Sequence, residues 1–363
     1  LELLNALLVR DGEVATKEEL FEALWPGKHP EDQWLLNAVS KLRGYLGDRS
    51  RQHVVTVPRM GYRIDGPIER SAVGSAPTLP PDLEAGRPAP GLPDFKLQSH
   101  LGSSTHTEVW LATDDHARIR VFKYARSSDG FFQLRSEYAI ASLLRACYPN
   151  RDDFLCPLDR NFRDPPFYLL YDYVGPDLAE WLGSEGQTLS REQRLDLYRS
   201  IVEIVAAAHS VGVLHRDIKP RNILIRTSGL TPQPVLMDFG SAKALRPELL
   251  DKHGITQVNL QGSQFSDGDG VTLMYAAPEL LDGGNTTVVT DVYSLGILLY
   301  QLVSGDPDRP IDLKWQERLG DPLLARLIQD ASAANATERI QSASALLDRL
   351  TNLEAERTRQ REA

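Results

Sequence analysis

The chain has 363 residues, of which 42% are hydrophobic and 25% are charged, and its formal net charge is −10. This composition excludes fibrous and collagen-like proteins and argues against a general nucleic-acid coat, and the length predicts roughly two or three domains. Two cysteines are too few for a disulfide scaffold, and no apolar run reaches the ~20 residues of a membrane helix. We therefore expect a cytoplasmic globular protein, with further residues before Leu1 because the chain opens inside a helical pattern without a methionine.

Residues 1–65 predict three helices followed by a β-hairpin. Leucines at helical spacing indicate the first helix, and Thr16 with Glu19 three residues later is typical of a capping box at the start of the second. The predicted elements are helices that begin near Leu1, Thr16 and Asp32, and β runs over 54–57 and 61–64. This order of elements is the layout of a winged helix.

The segment also carries a basic face, because bases outnumber acids between Lys41 and Arg63. Its pieces EELFEALW, VSKLRGYLGD and TVPRMGYRI resemble the effector domain of response-regulator transcription factors. The resemblance implies a third helix in the major groove of double-stranded DNA and a wing on the phosphate backbone. By position, the implied DNA contacts are Asn37, Ser40, Lys41, Arg43, Thr56, Arg59 and Arg63. The alternative is that these residues form a solvated face on a protein-docking domain.

Residues 66–94 contain seven prolines and four glycines and show no hydrophobic periodicity. This composition predicts a linker with extended, polyproline-like stretches. The linker separates the small first domain from a larger second one, in which the patterns that carry chemistry occur.

Lys123 is the lone charge on one face of a predicted strand. Alternate residues of a strand point to the same side, so one apolar face would hold Ala117, Ile119, Val121 and Lys123. A buried lysine needs an anionic partner, because an unpaired internal charge costs on the order of several kcal/mol. The expected partner is Glu137, on a helix predicted over 132–144.

Two acids and an amide stand beside short apolar runs that read as buried strands. Asp217 and Asn222 lie five residues apart before the run 223–225, and Asp238 ends the run 235–237. Mg²⁺ favours a few carboxylate and amide oxygens together with phosphates. Each residue alone could be a turn or cap residue, but together they predict metal-assisted chemistry on a phosphate.

These residues belong to a longer series of motifs, which are VFK, Glu137, HRDIKPRN, DFG, AAPE ending at Glu279, DVYSLG from Asp291, and Arg339. Over residues 95–350 the chain therefore resembles a Hanks-type serine/threonine protein kinase. The expected fold is multidomain α+β, with a small winged helix followed by a bilobal protein-kinase fold. The expected boundaries are a winged helix 1–65, a linker 66–94, kinase lobes 95–173 and 174–350, and a polar tail 351–363.

The resemblance implies ATP and Mg²⁺ as cofactors. It also implies a protein substrate, for which the chain itself is one candidate. Asp217 would accept or orient the substrate hydroxyl proton, Lys219 would neutralise the transferring phosphoryl group, and Thr272 would help to position the acceptor. Asn222 and Asp238 would bind Mg²⁺. The implied ATP-binding residues are Leu101, Gly102, Val109, Val121, Lys123, Glu137, Asp172 and Val174.

The resemblance also implies roles for residues around the cleft. Tyr171 would be the gatekeeper of the adenine pocket, Asp291 would brace the catalytic loop, and Glu279 would form a structural pair with Arg339. Arg216 would pair with a phosphate on the activation segment, for which the candidate sites are Thr256, Ser263 and Ser266. The alternative is a loop with incidental hydroxyl groups.

The loop that would cover the phosphates departs from the family pattern. The pattern is G-x-G-x-x-G-x-V, whereas this chain reads GSSTHTEV and keeps only Gly102. Glycines let the backbone approach phosphates closely, so Ser104 and Thr107 predict weakened ATP affinity or slow turnover. Val121 stands where alanine is usual, which narrows the adenine pocket.

The predicted function is a serine/threonine protein kinase coupled to transcription through a DNA-binding winged helix. One alternative is a pseudokinase, a regulatory nucleotide-binding module attached to a transcription-factor or protein-docking domain. A small-molecule kinase would share the loop from Asp217 to Asn222, although Lys219 and the pair Glu279 and Arg339 favour protein substrates. A transcription factor whose kinase-like part only senses ligands is the last alternative.

Overall fold

The structure is a computed structural model that describes residues 2–8, 10, 13–24, 32–45, 53–58, 60–65, 82–227, 229, 231–252, 274–281, 284–312 and 314–362. The chain separates into two units, Leu1–Ser75 and Ala76–Ala363. The division falls inside the predicted linker, whose residues 66–81 lie outside the described ranges.

The small unit packs three helices against a three-stranded antiparallel sheet. Its elements are α1 (Glu2–Leu8), β1 (Ala15–Thr16), α2 (Lys17–Leu24), α3 (Asp32–Tyr45), β2 (Val54–Val57) and β3 (Gly61–Ile64), with the strands in the order β1-β3-β2. The expected capping box is present, because the Thr16 N–H donates to Glu19 Oε2 at 2.9 Å and the Glu19 N–H donates to Thr16 Oγ1 at 3.3 Å. The predicted winged-helix layout is confirmed.

Strand β1 was not predicted, because two residues are too few for a periodic pattern. Gly61 explains its pairing: a Cβ atom there would lie 1.9 Å from the carbonyl oxygen of Ala15. Only glycine therefore lets β3 lie against β1. The buried core of the unit includes residues from all three helices, among them Leu7, Leu20, Leu35 and Val39.

The larger unit begins with a six-stranded antiparallel sheet. Its strands are β4 (Pro88–Ala89), β5 (Leu92–Ser103), β6 (Thr107–Asp114), β7 (Ile119–Ala125), β8 (Asp159–Asn161) and β9 (Tyr168–Asp172), in the order β4-β5-β6-β7-β9-β8. Helix α4 (Ser128–Cys147) lies against β7 and β9 and is longer at both ends than predicted. It begins at the N-cap Ser127, whose side chain accepts a hydrogen bond from the Gly130 N–H.

The end of the predicted linker 66–94 belongs to this sheet. Strand β4 pairs with β5, and Gly86 and Gly91 take the positive φ angles of 82° and 87° in the turns beside β4. Glycine adopts such angles without strain. The proline- and glycine-rich composition therefore marks tight turns in this part of the chain, where an extended linker was expected.

The second lobe of the larger unit is mainly helical. Its helices are α5 (Leu178–Gly183), α6 (Arg191–Ser210), α7 (Pro247–Lys252), α8 (Pro278–Leu281), α9 (Val288–Ser304), α10 (Trp315–Leu319), α11 (Pro322–Ala331) and α12 (Ala343–Glu362). Two short antiparallel strand pairs join β10 (Val213–Leu214) to β13 (Lys243–Ala244), and β11 (Ile223–Arg226) to β12 (Gln233–Leu236). Helix α9 is buried on nearly all sides, as expected for a helix with little polar surface.

The polar tail predicted over 351–363 is wrong as a separate segment, since α12 continues to Glu362. Leu346, Leu350 and Leu353 recur at helical spacing, and all three are buried in the core of the helical lobe. The apolar stripe therefore carries the helix beyond the expected boundary. Within the described ranges, no helix combines the length and the apolar character needed to cross a membrane.

The expected pair of Glu279 and Arg339 lies inside the helical lobe. Arg339 Nη1 lies 2.8 Å from Glu279 Oε1, Arg339 Nη2 lies 3.0 Å from Glu279 Oε2, and the arginine side chain is fully buried. The same guanidinium donates to the carbonyl oxygens of Val289 and Ala333 at 2.8 and 2.9 Å. One arginine thereby connects α8, α9 and the segment before α12.

Replacing Arg339 with alanine should lower the free energy of unfolding of the larger unit by about 3–5 kcal/mol, because the Glu279 carboxylate loses its cation. The control Arg349→Ala removes an exposed ion pair with Asp330 and should cost less than about 1 kcal/mol. Urea unfolding of the whole chain, followed by tryptophan fluorescence, measures both changes. Equal stability of R339A and R349A would contradict the structural role of the buried pair.

Candidate active site

Three segments of the larger unit bring opposite charges together beside the sheet. Lys123 lies on β7, Glu137 lies on α4, and Asp238 follows β12 by two residues. The Lys123 ammonium lies 2.7 Å from Glu137 Oε2 and 2.8 Å from Asp238 Oδ1. The structure thus brings the expected partners Lys123 and Glu137 together and adds Asp238, whose contact with Lys123 the sequence did not indicate.

For Lys123 and Asp238 of this cluster, charge attraction outweighs the effect of burial. Burial acts against a charge on Lys123, but Asp238 and Glu137 together raise its pKa above the usual value. Burial also acts against the Asp238 carboxylate, yet the neighbouring Lys123 lowers the pKa of Asp238 to about 2. Both groups are therefore charged at neutral pH.

The face of β7 that carries Lys123 was predicted only in part. Ile119, on the same face as Lys123, is 41% exposed. On the opposite face, Phe122 and Tyr124 are fully buried. Ala117 lies before the strand with a positive φ of 59°, so placing it on an apolar face was wrong. The core of the sheet lies on the Phe122 side, and Lys123 lines the cavity between the lobes.

Tyr171, the expected gatekeeper on β9, holds the second oxygen of Glu137. Its hydroxyl donates to Glu137 Oε1 at 2.6 Å, and both side chains are buried. Burial and the nearby carboxylate raise the pKa of Tyr171 well above its usual value, so the phenol keeps its proton and remains a donor. Glu137 is therefore bound through one oxygen to Lys123 and through the other to Tyr171.

The loop between β10 and β11 brings Asp217, Lys219 and Asn222 together. Lys219 Nζ lies 2.9 Å from Asp217 Oδ2. Asn222 Nδ2 donates to the backbone oxygen of Asp217 at 2.7 Å and to Asp217 Oδ2 at 2.8 Å. Because the amide nitrogen of Asn222 makes these bonds, its side-chain oxygen remains an acceptor for another ligand.

Asp291 on α9 fixes the backbone just before Asp217. Its buried carboxylate accepts hydrogen bonds from the N–H groups of His215 and Arg216, both at 2.8 Å. His209 Nε2 lies 2.9 Å from the same carboxylate. Burial acts against this charge, but the hydrogen bond with His209 and the other contacts lower the pKa of Asp291. His209 was missed because a single histidine on a helix has no distinguishing sequence signal.

The chain turns sharply at Asp238. Asp238 adopts a left-handed conformation with φ 62° and ψ 68°, and its Oδ1 accepts a hydrogen bond from the Gly240 N–H at 3.3 Å. Phe239 is fully buried, and its ring packs edge-on against the ring of His215 with a centroid distance of 5.1 Å. This strained turn lets Asp238 reach Lys123 while Phe239 enters the core of the helical lobe.

Most of the predicted kinase-site residues line one cavity of about 980 Å³. Its lining includes Leu101, Gly102, Val109, Val121, Lys123, Glu137, Asp172, Val174, Asp217, Lys219, Asn222 and Asp238. This volume is typical of a small-molecule site. The predicted acceptor residue Thr272 and the candidate phosphosites Thr256, Ser263 and Ser266 lie outside the described residues.

The oxygen ligands at Asn222 and Asp238 fit a magnesium ion that binds together with phosphates. They offer one amide oxygen and one carboxylate, and Mg²⁺ commonly takes one or two protein ligands beside substrate phosphates and water. Over the described residues, no group of three or more histidine, cysteine or acidic side chains could hold a metal ion. Asn222 and Asp238 would therefore leave most coordination positions of such an ion to phosphate oxygens and water.

Two of the predicted DNA contacts bind each other within the small unit. Arg43 on α3 donates to the carbonyl oxygen of Val54 through Nε at 3.0 Å and Nη2 at 2.6 Å, and to Thr56 Oγ1 at 2.8 Å. Arg63 pairs with Asp65 at 2.9 Å. These arginines therefore already have partners in the fold.

The remaining predicted DNA contacts differ in what the structure describes. Asn37 and Ser40 are exposed on α3. Lys41 also lies on α3, but its side chain lies outside the described residues, as does all of Arg59. Asn37 and Ser40 therefore lie on the surface of α3.

Comparison with known proteins agrees with this geometry. The family model for the protein kinase domain matches residues 95–359, so the chain belongs to the protein kinase family. The model described as "Transcriptional regulatory protein, C terminal" matches residues 1–64. The fold and the cavity therefore define a kinase-family unit preceded by a winged helix.

Several curated relatives are bacterial proteins. The serine/threonine-protein kinase PkaA of Streptomyces coelicolor is 35% identical over 59% of this chain and 39% of its own length. The serine/threonine-protein kinase PrkC of Bacillus subtilis is 30% identical over 58% of this chain and 30% of its own. PknB of Mycobacterium leprae is 26% identical over 69% of this chain and 41% of its own. The chain thus spans less than half the length of these relatives.

Replacing Tyr171 with phenylalanine should lower the stability of the larger unit by about 1–3 kcal/mol, because a buried oxygen of Glu137 loses its donor. The control Tyr173→Phe removes a hydroxyl group from a side chain that is 43% exposed and should change stability by less than about 0.5 kcal/mol. Urea unfolding monitored by circular dichroism compares the variants. A Y171F variant as stable as Y173F would show that the hydroxyl does not hold Glu137.

Proposed function

We propose that the larger unit is an ATP-dependent serine/threonine protein kinase that transfers the γ-phosphoryl group of ATP to hydroxyl groups of proteins. The observation that supports this most is the shared cavity, in which Lys123 and Glu137 are paired and Asp217 lies with Lys219 and Asn222. Phosphoryl transfer depends mainly on positioning and on charge stabilisation. This set of residues is suited to both.

In the proposed reaction, the oxygen of a serine or threonine hydroxyl forms a bond to the γ-phosphorus as the bond to the β,γ-bridging oxygen breaks, and ADP leaves. Asp217 orients the hydroxyl and takes its proton. Lys219, 2.9 Å from Asp217 Oδ2, neutralises the oxygens of the transferring group, and Lys123 binds the α- and β-phosphates. Mg²⁺, when held by Asn222 and Asp238, would neutralise further phosphate charge.

The serine/threonine specificity and the protein substrate are proposed on separate grounds. By the resemblance to this kinase family, Lys219, two residues after Asp217, favours serine and threonine over tyrosine. By the resemblance to serine/threonine protein kinases, Glu279 and Arg339, which the structure pairs, favour protein substrates over small molecules. The names of the relatives PkaA, PrkC and PknB agree with both proposals.

A second candidate is a nucleotide-binding module that performs no transfer. The observation that favours it is the loop GSSTHTEV, in which Ser104 and Thr107 replace two glycines of the phosphate-covering pattern. Both candidates bind a nucleotide. Only the kinase transfers the γ-phosphoryl group of ATP to serine or threonine.

Asp217→Asn should lower the incorporation of label from γ-labelled ATP into serine and threonine by at least about 100-fold, because the proton acceptor is lost. The control Asp196→Asn changes an exposed carboxylate on α6 and should leave the rate unchanged. Phosphosite mapping of the whole chain and of a general protein substrate measures transfer, and thermal melting checks the fold. Transfer that persists in D217N contradicts the proposed role, and a wild type that binds ATP without transfer supports the second candidate.

We also propose that the small unit binds double-stranded DNA through α3 and thereby couples phosphorylation to transcription. The family match over residues 1–64 and the exposed positions Asn37 and Ser40 support this proposal. Arg43 and Thr56 are proposed to position α3 against β2, since they bind each other. The alternative is a unit that docks another protein through the same helix face.

Ser40→Asp should weaken DNA binding by at least about tenfold, because it places a negative charge on the helix face that would lie towards the phosphates. The control Ala23→Asp adds the same charge at an exposed position of α2 and should have a smaller effect. Fluorescence anisotropy at fixed salt, with duplexes selected by the chain from a random pool, measures both. If no duplex is selected, or if both variants weaken binding equally, the proposed DNA contact through α3 is wrong.

A further inference from the structure

The loop between β5 and β6 lies over the cavity. One serine side chain forms hydrogen bonds across the tip of this loop. Ser104 Oγ accepts hydrogen bonds from the backbone N–H groups of His106 at 3.2 Å and of Thr107 at 3.0 Å. A hydroxyl oxygen has two lone pairs and one proton, so these amides use both lone pairs. The proton is left for Thr107 Oγ1, which lies 3.0 Å away. The Ser104 hydroxyl is therefore fully used inside the loop.

The two amides bound by Ser104 stand where a glycine-rich loop covers the phosphates of a nucleotide. In such a loop the tip amides are available to phosphate oxygens, because no side chain stands between them. Here the amides of His106 and Thr107 already have an acceptor, and both Ser104 and Thr107 line the cavity. A phosphate oxygen must therefore displace the hydroxyl to reach either amide.

The tip is also attached to the start of α4. The carbonyl oxygen of His106 accepts a hydrogen bond from the Arg126 N–H at 2.7 Å, and His106 Nδ1 lies 3.0 Å from Oγ of the N-cap Ser127. Gly130 makes room for this contact, since a Cβ atom there would lie 2.0 Å from the His106 oxygen. Lifting the whole tip would break these bonds, whereas turning one side chain at Ser104 would free both amides.

We propose that Ser104 competes with nucleotide phosphates for the two amides at the tip of this loop. Its hydroxyl holds the amides before a nucleotide binds, and the phosphates bind at full strength only when that side chain turns away. This proposal rests on the proposed kinase function, which identifies the ligand as a nucleoside diphosphate or triphosphate. Ser104 is thus a positioning residue that lowers affinity for the phosphates and leaves affinity for the adenosine part unchanged.

Ser104→Gly restores the second glycine of the pattern and removes the competing hydroxyl. Calorimetric titration of the full chain should give a Kd for Mg-ADP that is about tenfold lower in S104G, because the variant has no amide-to-hydroxyl hydrogen bonds to give up when the phosphates bind. Adenosine has no phosphate, so its Kd should stay the same. The matched variant Ser104→Ala removes the hydroxyl without adding the backbone freedom of glycine, and it should also tighten Mg-ADP binding while leaving the Kd for adenosine unchanged.

The outcomes separate this proposal from the kinase assignment. If S104G binds Mg-ADP no more tightly than the wild type, competition by the hydroxyl is refuted, although nucleotide binding stands. If adenosine binding tightens equally, or S104A gives no gain, backbone freedom is the cause and the proposal is also refuted. If neither the wild type nor the variants bind Mg-ADP or adenosine, the kinase assignment fails and the proposal fails with it.

Discussion

The cavity of the larger unit depends on one constraint, which is that the charged side chain of Lys123 is largely buried. The Lys123 side chain is 12% exposed and lies between the carboxylates of Glu137 and Asp238. An ammonium group in such a place is tolerated only when anions compensate for its lost hydration. Because its partners come from α4 and from the segment after β12, one cation determines how the sheet, the helix beside it and the helical lobe meet. The cavity is therefore shaped by charge balance as well as by apolar packing.

A buried carboxylate has the corresponding effect on the helical side of the cavity. Asp291 accepts from two consecutive amides, those of His215 and Arg216, and Arg216 takes a positive φ of 69°. A non-glycine residue adopts that conformation only when its surroundings compensate for the strain. The compensation at Asp291 holds the backbone so that Asp217, the next residue, lies in the cavity. Two buried charges on different elements thus position the groups proposed for catalysis.

The sequence predicted the members of the cavity better than the contacts among them. Asp217, Asn222 and Asp238 each stand beside a short apolar run, so a local pattern was sufficient to single them out. The bond between Lys123 and Asp238 joins residues that are 115 positions apart, and no local pattern specifies such a contact. The same holds for Asp291 with His209, 82 positions away. Local patterns identify residues, whereas tertiary packing decides which of them meet.

The sequence left two assignments incomplete, and both have a physical reason. The proline- and glycine-rich segment up to Asp94 was expected to be a linker, but the same residue types also form the turns beside β4. The resemblance placed Arg43 at the DNA by its position, and that contact stays a prediction, while the structure shows its guanidinium bound to the carbonyl oxygen of Val54. A guanidinium with five donors satisfies backbone oxygens as readily as phosphates. Charge in a sequence therefore shows a capacity to bind and leaves the partner undetermined.

The loop over the cavity shows how a substitution can change affinity without removing any donor. Glycine at position 104 would leave the tip amides to water or to phosphate, whereas Ser104 supplies an acceptor from within the loop. Amides need an acceptor in every state, so the serine stabilises the loop before a nucleotide binds. A phosphate oxygen is the stronger acceptor because it is charged, and the exchange should therefore still favour the nucleotide. In the proposed mechanism the tip amides are retained as donors. Serine in place of glycine changes only the free-energy difference between amides bound to the Ser104 hydroxyl and amides bound to a phosphate.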